Sequence, residues 1–112
     1  MADLELKGKT ADELKALFQM AIWKLESEKS FTSEAIESVF RGLAERFDAP
    51  LRDLSRPFYV AITGAKSSTP LFQSMEILGL DLVRMRLRRA IESLGGISAK
   101  AMKALEKDNR AE

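Results

Sequence analysis

Residues 57–64 read PFYVAITG, and the fold class turns on whether this stretch is a strand or a helix. Taken alone, Phe58, Tyr59, Val60, Ile62 and Thr63 favour a strand, because aromatic and β-branched side chains fit a pleated, half-buried surface. A strand must pair, however, and a lone one is not stable in water. No partner strand stands out elsewhere in the chain, where the apolar residues recur with the period of a helix. Pro57 adds a positive reason, since its fixed φ and missing N–H suit the first position of a helix. The stretch therefore predicts a short helix ending near Gly64, and the chain an all-α domain.

Upstream, Thr10 and Glu13 have the spacing of a capping box. Leu14, Leu17, Phe18, Ala21, Ile22 and Leu25 then fall on one helical face, which predicts a helix over 11–27 with Met20 and Trp23 on its flanks. Thr32 caps a second helix over 33–47, with Phe31 and Ile36 spaced as a hydrophobic staple and Val39, Phe40, Leu43, Ala44 and Phe47 continuing the stripe. Residues 10–47 thus form a helical hairpin, whose Phe18, Trp23, Phe40 and Phe47 are expected in the core. Asp48, Ala49 and Pro50 end it, and LRDLS at 51–55 makes at most one or two turns.

Downstream, AKSSTP at 65–70 is a hydroxyl-rich loop in which Ser68 or Thr69 caps a helix that Pro70 begins. Leu71, Phe72, Met75, Ile77 and Leu78 make that helix apolar, and Gly79 stops it. Asp81 opens another over 81–93, burying Leu80, Val83, Leu87, Ala90, Ile91 and Leu94, before Gly95 and Gly96 end it. Ser98 caps a last, weaker helix, AKAMKALEK, and DNRAE at 108–112 frays. The expected architecture is one domain over 1–112, a compact bundle of five to six short helices. It divides into the hairpin at 10–47, the helices of 57–94, and a weak helix and tail at 98–112.

Composition narrows the chemistry. The chain has no cysteine and no histidine, which removes disulfides, thiolate metal sites and the commonest general base and metal ligand. No carboxylate pair sits in an apolar setting, so no catalytic residue, metal or cofactor is expected in this chain. The apolar runs are far shorter than the roughly 20 residues of a membrane span, and MADLELKGK is too charged for a signal peptide, which points to a cytoplasmic protein. Net charge is only +1, but residues 1–56 hold 11 acidic and 9 basic side chains against 6 and 9 in residues 57–112. A polyanion should therefore prefer the C-terminal half. There Arg84, Arg86, Arg88 and Arg89 make a basic run, which is either a solvated helix face or a phosphate footprint. Phe58, Tyr59 and Phe72 flank the loop, either as core residues or as π-faces for unstacked bases.

The order P-x-x-V-A-I-T-G at 57–64, then P-L-F at 70–72 and M-E-I-L-G at 75–79, resembles the C-terminal anticodon-binding region of bacterial glutamyl-tRNA synthetases. That family has a stretch like P-L-R-V-A-L-T-G, a loop ending in S-P-x-L-F, then E-x-L-x-L-L-G and a basic helix. The resemblance implies an all-α domain of the class I synthetase anticodon-binding type. Its partners would be glutamate-specific tRNA and the catalytic domain of the same synthetase, which would bring ATP and Mg. By position it implies anticodon contacts from Tyr59, Ser68, Thr69, Leu71 and Phe72, with further hydroxyls from Thr63 and Ser67. Lys66, Arg84, Arg86, Arg88 and Arg89 would grip the backbone. Two positions depart from the pattern: Tyr59 stands where the family has arginine, and Thr69 where it has proline, with Pro70 one place later. Tyrosine lacks the guanidinium's donors and offers a ring face instead. The chain is expected to be an excised domain rather than a free-standing relative. A helical protein-interaction module is the alternative, and a helix-turn-helix DNA binder fits less well, because the 71–78 helix is too apolar to read base edges.

Overall fold

A computed structural model describes residues 10–63 and 70–110. Six helices are present among them: α1 Ala11–Ser27, α2 Ser33–Arg46, α3 Leu51–Thr63, α4 Leu71–Leu78, α5 Leu80–Ser93 and α6 Ala99–Arg110. No strand occurs among the described residues, so PFYVAIT is helical, as its want of a pairing partner requires.

The start of that helix differs from the sequence-based expectation. LRDLS and PFYVAIT form the single helix α3, with Pro57 inside it rather than at its first position. An interior proline forfeits a backbone bond and costs about 3 kcal/mol. Burial outweighs this: Leu54 and Phe58 are 0% exposed and Ile62 1%, and each such side chain contributes about 1.5–3 kcal/mol. Leu54 precedes the proline and the other two follow it, so the apolar stripe is complete only if both halves share one axis.

The caps are mostly where the sequence places them. Thr10 Oγ1 accepts from the Glu13 amide at 3.2 Å, and Glu13 Oε1 accepts from the Thr10 amide at 3.4 Å, closing the box at α1. Thr32 Oγ1 accepts from the Ala35 amide at 3.2 Å, Phe31 packs on the core and Ile36 lies in it. The Glu76 carboxylate accepts from the Ser33 amide, tying α4 to the first turn of α2. Ser98 Oγ accepts from the Ala101 amide at 3.2 Å to begin α6. The last helix runs through Arg110, and the final two residues of the tail expected to fray lie outside the described residues. Arg46 Nη2 donates to the Asp108 carbonyl at 3.3 Å, placing a cation at a helix C-terminus, where it is favoured.

The core joins α1, α2, α3, α4 and α5. Phe58 lies between Phe18, ring centroids 5.0 Å apart, and Phe40, 4.5 Å apart, both edge to face. Phe40 in turn meets Phe72 at 5.2 Å, so one aromatic column runs from α1 to α4. Met20, expected on a flank, is buried at 2%, on a helix that packs against α2, α5 and α6. Phe47 is only half-buried against the core, and Trp23 is partly exposed, on the opposite side of α1 from Leu14. Lys15 ties the far end of the molecule together, donating to the Gly96 carbonyl at 2.8 Å.

Gly79 ends α4 and precedes α5 with φ +88° and ψ 157°, a region essentially restricted to glycine. A Cβ there would meet no atom within 4 Å, so the constraint is conformational alone. Gly79→Ala should therefore lower unfolding stability by about 1–3 kcal/mol in a denaturant titration, with an unchanged helical spectrum.

Candidate nucleic-acid interface

The end of α3 and the beginning of α4 come together at one edge of the bundle. The chain leaves α3 at Thr63 and re-enters at Leu71, with Pro70 in the N-cap position of α4. Pro70 supplies no side-chain cap, contrary to its expected place inside the helix. The Tyr59 hydroxyl instead accepts from the Leu71 amide at 3.1 Å, reaching from α3 to one of the four amides a helix start leaves open. The expected caps at Ser68 and Thr69, and the expected contacts of Lys66, Ser67, Ser68 and Thr69, lie outside the described residues. Of Thr63 only the backbone is described, as the last residue of α3.

The aromatic residues separate by burial. Phe58 belongs wholly to the core, while Tyr59 and Phe72 are half-buried, each packed on it from the edge. Leu71 is 4% exposed, so its side chain is committed to the core and what it presents at this edge is backbone. Ile77 is 84% exposed on the outer side of α4, which makes that short helix less buried than its apolar sequence implies.

The arginines of α5 separate as well. Arg84 Nη1 lies 2.9 Å from Glu26 and its Nη2 2.8 Å from Asp81, so it ties α5 to α1. Arg86 Nη1 donates to the Ile62 carbonyl in the last turn of α3. Arg88 and Arg89 are exposed and make no ion pair with another described residue. The four arginines thus have three different environments, which their adjacency in sequence conceals.

Two further cations escaped the sequence reading. Arg52 and Arg56 are exposed on α3 and stand at i and i+4, with Tyr59 at i+7 on the same face. The signal was their helical spacing, hidden when 51–55 was separated from 57–63. An exposed basic pair leading to the α3–α4 edge is chemically suited to polyanion contact. No group of three or more acidic, histidine or cysteine side chains that could hold a metal is present among the described residues. No helix among them is long and apolar enough to cross a membrane.

The sequence pattern of one family, described as an anticodon binding domain, matches residues 1–91. The chain belongs to that family. Its curated relatives are glutamate–tRNA ligases: one from Psychrobacter sp. (strain PRwf-1) is 42% identical over 103 residues, 92% of this chain and 20% of the relative. Those of Acinetobacter baylyi and Pseudomonas fluorescens are 40% and 41% identical over 96% and 92% of this chain, and 21% of each relative. The chain therefore spans about a fifth of the length of these relatives, and it corresponds to their anticodon-binding domain without the catalytic one. The all-helical architecture agrees with that membership.

Proposed function

We propose that this anticodon-binding domain grips the anticodon stem and loop of glutamate tRNA, so that a synthetase catalytic domain outside this chain attaches glutamate at the expense of ATP. ATP and Mg belong to that catalytic domain, and the work is cytoplasmic. The observation that carries the reading is the family match together with exposed Arg52, Arg56, Arg88 and Arg89 on α3 and α5, the two helices that meet beside the α3–α4 edge. In this reading Phe72 offers a ring to an unstacked base. The hydroxyls of Thr63, Ser67, Ser68 and Thr69 reach base edges, and Lys66 joins the cations on the phosphates.

The test is binding to glutamate tRNA and to a second tRNA at two salt concentrations. Tighter binding to glutamate tRNA is expected at both. Replacing Arg88 and Arg89 with glutamine should weaken both complexes and flatten the plot of log affinity against log salt by roughly 0.7–0.9 per lost contact. No binding of either tRNA at low salt would leave a protein-interaction module, the role that the near-neutral net charge also fits.

A further inference from the structure

Tyr59 and Arg86 are the residues of this edge whose polar atoms are already engaged inside the protein. The Tyr59 hydroxyl holds the first amide of α4, and Arg86 holds a terminal carbonyl of α3. Both bonds satisfy groups that a helix end leaves unpaired, and both join one helix to another. Arg86 also puts a positive charge at the C-terminus of α3, where the helix dipole favours it. Pro70, at the N-cap of α4, has no side-chain oxygen with which to do what Tyr59 does. Together the two side chains fasten α3 to α5 and α4 to α3, and so set where the backbone of Leu71 and the ring of Phe72 stand.

We propose that Tyr59 and Arg86 are positioning residues: they hold the α3–α4 edge in the geometry that selects one tRNA, and neither makes a base or phosphate contact of its own. The inference rests on the tRNA-binding reading above, and assigns these two residues a different task within it.

The experiment compares the wild-type chain with Tyr59→Phe, Arg86→Met and Arg86→Lys. Three quantities are read: affinity for glutamate tRNA and a second tRNA over a salt series, melting temperature, and hydrogen exchange of the Leu71 amide. Tyr59→Phe removes one oxygen and should speed exchange at Leu71 by about tenfold, since the amide loses its acceptor. It should weaken glutamate tRNA binding by about five- to tenfold more than binding of the second tRNA, with the salt slope unchanged. Arg86→Met should reduce selectivity in the same way with the slope unchanged, and Arg86→Lys, which can still donate to the Ile62 carbonyl, should restore most of it. A residue that only stabilises the fold would lower the melting temperature without moving the ratio between the two tRNAs. Wild-type selectivity in Tyr59→Phe, unaltered Leu71 exchange, or a slope reduced by about 0.7–0.9 in Arg86→Met and restored in Arg86→Lys overturns the proposal while tRNA binding stands. Failure of the wild-type chain to bind either tRNA overturns the proposal and the tRNA reading together.

Discussion

Phe58→Ala should cost about 3–5 kcal/mol of unfolding free energy and lower the melting temperature by roughly 10–25 °C. Phe58 is fully buried and is the one ring in edge contact with both Phe18 of α1 and Phe40 of α2. Removing it takes away the transfer energy of a whole aromatic side chain, two edge-to-face contacts and the packing around the void. Collapse cannot fill that void easily, because Phe18, Phe40 and Leu54 are themselves held on three separate helices. Phe58→Leu keeps most of the apolar volume and should lose only about 1.5 kcal/mol. A loss below about 1 kcal/mol for Phe58→Ala would show that the aromatic column does not organise the core. Because Phe40 supports Phe72 in turn, the alanine variant should also weaken tRNA binding, through the fold rather than through contact.

Much of this fold was legible because its signals are local. The Thr10–Glu13 box, the Thr32 cap, Gly79 and Ser98 each settle a helix boundary within a few residues. What was not legible depends on tertiary burial. Pro57 looks like a helix start in isolation, and it lies inside α3 only because Leu54 before it and Phe58 after it enter the same core. Met20 gave no sign of its burial, which depends on how other helices pack around α1. At the candidate site the sequence pointed to the edge by resemblance and to the basic run by its adjacent arginines. It could not tell that Arg84 and Arg86 are engaged within the protein while Arg88 and Arg89 make no ion pair among the described residues, since that depends on which helix each strip of α5 faces. Arg52 and Arg56 were missed for the same reason that Pro57 was misplaced: the helix that aligns them with Tyr59 was divided in two.

Phe72→Leu should weaken glutamate tRNA binding by roughly tenfold or more and leave the melting temperature within a few degrees of the wild type. Phe72 is half-buried, with an interplanar angle of 68° to Phe40 and ring centroids 5.2 Å apart. An edge-to-face contact of this kind occupies only part of a ring, and in the proposed function the remainder stacks on a base. Leucine can replace the apolar contact with Phe40 but has no π-face, whereas base–aromatic stacking contributes about 1–3 kcal/mol per base. Phe72→Ala would confound the two roles, since it removes the packing as well, so the leucine variant is the informative one. Phe72→Tyr, which keeps the ring, should bind as tightly as the wild type. Because the contact is uncharged, the salt dependence should be the same in all three proteins, in contrast to the flatter slope expected on replacing Arg88 and Arg89. If Phe72→Leu binds tRNA as the wild type does while Phe72→Ala lowers the melting temperature, the ring serves the core alone. Recognition at this edge would then fall to backbone and hydroxyl groups, and the alignment imposed by Tyr59 and Arg86 would matter more, since a backbone donor cannot change rotamer to find its partner.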